Sequence, residues 1–470
     1  MASNAIHFGT SGWRGIMADD FTFAGVRRAS AAIADHCRSR NRAPKLLVGY
    51  DTRFLSESFA RAAASILRSR GCSVLLCDAP APTPAIGYEA VRRKFDGAVN
   101  ITASHNPAAY NGLKFSGPNG GPALPEITRD IEARAAKFPE GEFSSPDEGR
   151  AGAFELADIR GPYLTRLAEL VRFDTITGSK GAYICDAVHG CGAGWLDRIL
   201  AGHGVPVTAI RGNRDVLFEG RGPDPSDENL APLRKAVRET KAAAGLATDG
   251  DADRYGILDR DGAFISPNHI LAMLFDYLIE SRGWTLGASR SVATSHLVDA
   301  VARLHKVPLY ETPVGFKYIG EYLAKDAIII GGEESAGLTI RGHEPEKDGI
   351  LACLLVAEMI AARRKSITEQ RADLFRRVGR EYWPIRVNLT LPDDVQRRVN
   401  DKLKSEPKEL GGVRITKIDR TDGLKIILDG GDWVLLRPSG TEPLVRIYAE
   451  STSEAAAQRL AEEARKWIHL

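Results

Sequence analysis

The chain reads as an α/β protein: three consecutive doubly wound α/β domains followed by a smaller α+β domain. Three observations predict this. Short apolar, β-rich runs alternate with helical patterns through the first three quarters of the 470 residues. The alternation comes in three successive blocks of about a hundred residues, each the size of one βαβ-based domain. The last hundred residues then change character, to closely spaced strands and one closing helix.

In the first block Leu46–Tyr50, Ser73–Cys77 and Gly97–Ile101 read as buried parallel strands. Between the first two, Phe59, Ala62, Ala63, Ile66 and Leu67 recur at helical spacing, predicting a helix over Ser58–Arg70 that Gly71 ends as a C′ residue. The second block repeats the pattern at Ala182–Asp186, Val205–Ile210 and Ala244–Thr248, and the third at Ser291–Ala293, Leu309–Glu311 and Ile328–Gly331. The blocks share no clear residue-level repeat. Turn residues and charge collect at Pro139–Gly152, just after Arg254, and near Arg371–Tyr382. The expected domains are therefore residues 1–152, 153–255, 256–371 and 372–470. In the last, Trp433–Arg437 and Leu444–Glu450 are strands joined by the loop Pro438–Pro443, and Ser451 with Glu454 forms a capping-box pattern before a helix through Trp467.

Composition narrows the function. A net charge of +2 argues against a nucleic-acid binder, which would carry a clearly basic domain. No apolar run approaches membrane-spanning length, and the longest, Leu351–Ile360, is broken by Glu358. Met1–His7 lacks the apolar stretch of a signal peptide. None of the six cysteines forms a Cys-x-x-Cys pair, so neither a zinc site nor a disulfide framework is expected. A cytoplasmic location is the simplest expectation.

Chemistry concentrates at strand ends, where α/β folds put ligands: Ser104, Asp186, Asp249 and Glu333 all follow predicted strands. Asp249, Asp251 and Asp253 offer three carboxylates two residues apart, followed by Arg254. As an EF-hand the run fails, because its sixth position is Arg254 and its twelfth Arg260. Crowded after an apolar strand, the carboxylates repel one another unless a cation neutralises them, and hard oxygen ligands suit Mg²⁺. Arg254 suits a phosphate or sugar oxygen that arrives with the metal.

Ser104 stands in Thr102-Ala103-Ser104-His105-Asn106-Pro107. No Gly-x-Ser-x-Gly elbow surrounds it, and His105 is its sequence neighbour, so a hydrolase triad is not expected. A phosphorylated serine beside a metal needs no such base. Lys114 is expected to return to the site across a turn at Gly112. Gly9–Gly15 is glycine-rich but lacks the Gly-Lys-Ser/Thr ending of a P-loop; Arg14 is its notable residue. Gly332-Glu333-Glu334-Ser335 is either a polar turn or a set of directional partners for sugar hydroxyls. Arg437, Ser439, Gly440 and Thr441, with Arg446 on the returning strand, form an anion cradle for which phosphate is the expected ligand.

Together these motifs resemble, in order and over essentially the whole chain, the α-D-phosphohexomutase family. Thr102–Pro107 is similar to the family's phosphoserine loop, Asp249–Arg254 to its metal loop, Gly332–Ser335 to its sugar loop and Arg437–Pro443 to its phosphate loop. Gly9–Gly15 resembles its N-terminal signature. Glu311–Lys317, which contains Val314, and Glu346–Gly349, which contains Lys347, resemble two further active-site segments. The resemblance implies four domains around a central cleft. It implies that phosphoserine 104 phosphorylates a hexose monophosphate, that the bisphosphate turns over in the cleft, and that its other phosphate returns to Ser104. Mg²⁺ would be held by Asp249, Asp251, Asp253 and a phosphoserine oxygen, with glucose 1,6-bisphosphate as activator and intermediate. Lys114, His105, Lys347 and His343 are the candidates for proton transfer, and the sequence does not rank them.

The Glu333–Ser335 loop and the Glu311–Lys317 segment resemble those of the family's glucose-type members, which implies glucose phosphate, with mannose phosphate as a second substrate and glucosamine phosphate behind it. The expected partners are small hexose phosphates, with neither nucleic acid nor membrane, acting on a monomer or homodimer. A Mg²⁺-dependent sugar phosphatase and a non-catalytic sugar-phosphate sensor are the alternatives from other classes.

Overall fold

A computed structural model describes residues 6–9, 12–139, 142–143, 153–438 and 444–468. Its four sheets follow one another along the chain. The first has six strands in the order Trp13–Ile16, Tyr110–Ser116, Gly97–Ile101, Lys45–Tyr50, Ser73–Cys77 and Glu155–Ala157. Its four inner-to-edge strands from Gly97 to Ala157 run parallel, as their unbroken apolar character predicts. The predicted first helix spans Ser56–Ser69, and Gly71 closes it at φ +85°, a conformation that glycine adopts without a Cβ clash.

The second sheet orders Phe264–Ile265, Tyr255–Asp259, Ala244–Thr248, Tyr183–Asp186 and Val207–Ile210. The third orders Leu309–Thr312, Gly287–Ser291, Ile328–Glu333 and Gly337–Ile340. The strand expected at Ser291–Ala293 thus lies earlier, at Gly287–Ser291, and Val292 and Ala293 instead form part of an apolar contact with Trp433, Leu435 and Tyr448 of the fourth domain.

Strand pairing shifts the expected domain limits. Glu155–Ala157 pairs with Ser73–Cys77, so the first sheet reaches past residue 152. Tyr255–Asp259 turns back beside Ala244–Thr248, so the second sheet extends past 255 to Ile265. The limit at 371 falls inside the helix Ile367–Val378, whose Leu374 and Phe375 belong to the main core, so the division comes after that helix. Only the first shift comes from a partner distant in sequence; the second is a local hairpin across the aspartate loop, and the third is a helix that continues past the charged segment.

The fourth sheet is antiparallel, ordered Trp383–Thr390, Leu444–Ser451, Trp433–Pro438, Leu424–Leu428, Val413–Asp419 and Glu409–Leu410. The closing helix Glu454–Trp467 is present, but its N-cap is Ser453, whose side chain accepts from the Ala456 amide. Ser451 is the last residue of a strand, and its hydroxyl donates to Asp432, so the expected capping box is not formed.

One core runs through the first three domains, and the helix Gly349–Arg363 crosses it with almost every side chain buried. Its Glu358 is fully buried and accepts from the Tyr277 hydroxyl, the Arg282 guanidinium and the Arg172 amide, so the charge that interrupts the apolar run is paired inside the protein. Among the described residues no helix is long and apolar enough to cross a membrane. All six cysteines are buried and unbridged.

Candidate active site

The site forms where the strand Gly97–Ile101 of the first domain and Ala244–Thr248 of the second end against one another. Ser104 is buried and sits at φ +52°. That left-handed backbone turns its hydroxyl across the domain boundary, where Oγ donates to Asp249 Oδ2 at 2.6 Å. A non-glycine residue holds such a conformation only when its surroundings fix it. The Ser104 amide is held by Thr102 Oγ1 at 2.9 Å.

The three aspartates do not alternate as strand residues would. They lie in a tight loop in which Ala252 adopts φ +57°, bringing one oxygen of each to within 4.8 Å of the others. All three are buried. Burial, then repulsion from Asp251 and Asp253, raises the Asp249 carboxyl well above the usual carboxylate range. Burial also opposes ionisation of Asp253, but Lys114, Lys347 and Arg254 outweigh it and hold its carboxyl well below that range. Asp251 Oδ1 and Asp253 Oδ1 are buried and, among the described residues, have no hydrogen-bond partner. Two orphaned hard oxygens beside Asp249 make a donor set that fits a small divalent cation such as Mg²⁺.

Lys114 reaches this cluster, although not by a turn. Tyr110–Ser116 is one continuous strand, and Lys114 lies opposite Asn100 on the neighbouring strand. Gly112 serves a different purpose: a Cβ there would come within 2.6 Å of the Thr102 carbonyl and 2.7 Å of the Trp13 carbonyl. Lys114 Nζ donates to Asp251 Oδ2 at 2.5 Å and Asp253 Oδ2 at 2.7 Å. Burial lowers its affinity for the proton, and the two aspartates more than restore it. Lys347 Nζ lies 3.1 Å from both Asp253 Oδ2 and Glu346 Oε1. Its pKa is raised too, the two carboxylates prevailing over burial. Both lysines are therefore ammonium ions at neutral pH.

His105 Nδ1 lies 3.5 Å from Ser104 Oγ. Burial, with Arg254 and Arg14 nearby, pushes its imidazole well below its ordinary value, so the ring is neutral. Arg14 donates to Asn106 Oδ1 at 2.6 Å, which joins the N-terminal strand to the serine loop. Arg254 keeps its Nε 3.8 Å from Asp253 Oδ1.

In the third domain Glu333 ends its strand and accepts from the Gly315 amide at 2.7 Å, tying the sugar-loop candidate to the segment that holds Val314. Burial and then Glu334 raise its carboxyl to about 7. Ser335 follows in the same turn, half-buried. The Val314 amide donates to Asp422 Oδ2 of the fourth domain at 3.0 Å, and Asp422 Oδ1 lies 2.9 Å from Arg437 Nε. One carboxylate thus joins the two candidate substrate loops. Arg437 stands directly across from Arg446 on the adjacent strand. Ser439, Gly440 and Thr441 lie outside the described residues.

His343 is placed differently from the expectation. Its Nε2 lies 2.8 Å from Asp348 Oδ2 and its Nδ1 2.9 Å from Glu344 Oε2. Asp348 also accepts from the Tyr163 hydroxyl and caps the helix Gly349–Arg363 through the Leu351 amide. The ring is thus committed to a buried structural cluster rather than to the serine or the aspartates. Glu311 is likewise a domain contact, paired with Arg290 and lying 3.3 Å from Lys425 Nζ.

Sequence reasoning missed Thr83, Arg53 and Asp422. Thr83 donates to Asp251 Oδ2 and accepts from Asn100 Nδ2. Each reaches the site through packing between segments far apart in sequence, and none stands in a recognisable motif.

Family models of phosphoglucomutase/phosphomannomutase match all four parts of the chain: α/β/α domain I over residues 5–141, domain II over 161–262, domain III over 266–378 and the C-terminal domain over 388–466. A phosphoglucomutase/phosphomannomutase of Thermococcus kodakarensis is 32% identical, covering 97% of this chain and 96% of its own. A protein of Methanopyrus kandleri assigned as a phosphoglucosamine mutase is 30% identical with the same coverage. A crystal structure of a protein assigned as a phosphomannomutase from Thermus thermophilus superposes with a TM-score of 0.87 at 34% identity, covering 99% of each chain.

Proposed function

This chain belongs to the phosphoglucomutase/phosphomannomutase family, and we propose that it interconverts glucose 1-phosphate and glucose 6-phosphate through a phosphoserine at residue 104. The observation that carries the reading is the hydrogen bond from Ser104 Oγ to Asp249, made from a strained left-handed residue and directed into the three-aspartate cluster. A nucleophile that must accept and release a phosphoryl group in one orientation requires such a fixed hydroxyl.

Asp249, Asp251 and Asp253 would hold Mg²⁺, which when bound would offset negative charge gathering on the phosphoryl oxygens. Lys114, Lys347, Arg14 and Arg254 add fixed positive charge around the same point. Neutral His105, beside Ser104 Oγ, is suited to carry the proton that leaves the serine or the sugar hydroxyl. Both lysines are ammonium ions whose protons the adjoining carboxylates hold, and they serve as electrostatic partners. Glu333 and Ser335 orient the sugar, and Arg437 and Arg446, with Ser439 and Thr441, hold the phosphate that is not reacting. Glucose 1,6-bisphosphate primes Ser104 and recurs as the intermediate.

A second reading, dual use of glucose and mannose phosphates, is supported by the name of the Thermococcus relative. Initial rates on glucose 1-phosphate, mannose 1-phosphate and glucosamine 1-phosphate, with Mg²⁺ and catalytic glucose 1,6-bisphosphate, decide between them. A strong preference for glucose supports the first reading, equal glucose and mannose rates the second. Release of inorganic phosphate without isomerisation sinks both.

A further inference from the structure

Arg53 is fully buried just beyond the end of the strand Lys45–Tyr50. Its terminal nitrogens donate to four carbonyls of one loop. One reaches Pro107 O at 2.9 Å and Tyr110 O at 3.1 Å. The other reaches Ser104 O at 2.5 Å and Asn106 O at 2.6 Å. Its Nε lies 3.1 Å from Asp51 Oδ2, and Asp51 is itself anchored by the Ser56 hydroxyl at 2.6 Å. The ring of Phe218, from the second domain, lies 5.2 Å from the guanidinium.

The same turn is gripped from the second domain. Arg214 donates to Thr52 O at 2.8 Å and to Arg53 O at 3.0 Å, while Thr52 Oγ1 donates to His189 O at 2.9 Å. Two residues on, the Cys191 amide donates to Gly250 O, inside the aspartate loop. A continuous set of hydrogen bonds therefore runs from the serine loop, through Asp51–Arg53, to the loop that carries the three aspartates.

We propose that Arg53 is a positioning residue for phosphoryl transfer: its guanidinium frames the carbonyls of residues 104–110 so that Ser104 Oγ keeps one orientation towards Asp249. The inference rests on the reading of Ser104 as the phosphoryl carrier. Arg53 touches neither Ser104 Oγ nor the carboxylates of Asp249, Asp251 and Asp253; it acts through the backbone. Four carbonyls spread along a loop match the planar fork of arginine and not the single ammonium of lysine. Arg53→Lys therefore keeps a charge for Asp51 but loses the frame.

The test compares the parent enzyme with Arg53→Lys and Arg53→Ala, measuring initial rates, thermal unfolding and transfer of label from glucose 1,6-[³²P]bisphosphate to Ser104. For Arg53→Lys we expect a folded enzyme whose kcat and labelling rate both fall about 100-fold while KM stays within about threefold. For Arg53→Ala we expect partial recovery of turnover on adding guanidinium ion below denaturing concentrations. Arg53→Lys, whose own ammonium occupies the space, should not respond. A kcat for Arg53→Lys within about threefold of the parent overturns the proposal. So does a folded Arg53→Ala enzyme that guanidinium leaves unchanged. If Arg53→Ala fails to fold, Arg53→Lys alone decides. A parent enzyme that takes no label on Ser104 would instead sink the phosphoserine reading, which separates the two failures.

Discussion

Replacing Lys114 by Met exposes the electrostatics of the site most sharply. The ammonium lies 2.5 Å from Asp251 Oδ2 and 2.7 Å from Asp253 Oδ2, and all three groups are buried. Without it, Asp253 keeps Lys347 at 3.1 Å and Arg254 at 3.8 Å, whereas among the described residues the Asp251 side chain keeps only the Thr83 hydroxyl. Removing one partner of a buried ion pair costs about 3–5 kcal/mol, and the surviving partners of Asp253 place this case near the lower end. A divalent cation would return part of that, about 2.7 kcal/mol at a hundred times its Kd. Lys114→Met should therefore unfold at lower temperature than the parent without metal and gain more from Mg²⁺. Its kcat should fall about 10²- to 10³-fold, as for loss of one fixed charge that stabilises the reacting phosphoryl group. Thermal unfolding with and without Mg²⁺, alongside calorimetric titration of Mg²⁺, measures this directly. Equal unfolding temperatures and equal gains from Mg²⁺ would show that the ammonium does not neutralise the aspartates.

Three further outcomes follow from the geometry. A Cβ at Gly250 would meet the Ser104 carbonyl at 2.5 Å and Pro223 Cγ at 2.8 Å, so Gly250→Ala should separate the serine from the aspartates. Its kcat should drop by about 10²-fold or more, and near-normal turnover would contradict the placement. Asp422→Ala should raise KM for the hexose phosphate about tenfold, with kcat changed by less than about threefold, because Arg437 loses its partner while the chemistry stays intact; a fall in kcat alone would count against this. Burial favours the neutral form of His343, but Asp348 and Glu344 raise its pKa from 6.5 to about 9. A base with a raised pKa contributes stability that is fully present below its unfolded value and lost as pH rises through the folded one. The stability difference between the parent and His343→Gln, read by denaturant unfolding, should be about 3 kcal/mol near pH 6 and shrink towards pH 9.5. A pH-independent difference would mean that the ring is not charged.

Much of this architecture is written locally. Unbroken apolar runs such as Leu46–Tyr50 and Ala244–Thr248 identify buried strands because both faces are covered, and Gly71 marks a helix end because the chain there needs a positive φ. The aspartate triplet is legible because three like charges after an apolar strand need neutralising. What is not legible depends on pairing at a distance. Lys114 enters the site because its strand lies beside Gly97–Ile101, Thr83 because its helix starts against the Asp251 loop, and Glu155–Ala157 joins a sheet whose other strands end before residue 117. His343 shows the converse: a histidine beside active-site motifs looks available in sequence, yet Asp348, Glu344 and Tyr163 enclose it. Ser451 and Ser453 are equivalent cap candidates by composition, and the length of the preceding strand decides between them.

Following the phosphoryl group itself tests the role of Ser104 without an intermediary. The enzyme is incubated with glucose 1,6-[³²P]bisphosphate and Mg²⁺, the labelled residue is located by peptide mapping, and unlabelled glucose 1-phosphate is then added. Label should appear on Ser104, the chase should transfer it quantitatively to hexose phosphate, and Ser104→Ala should take none. Label that stays on the protein, appears as inorganic phosphate, or maps to another residue would contradict it.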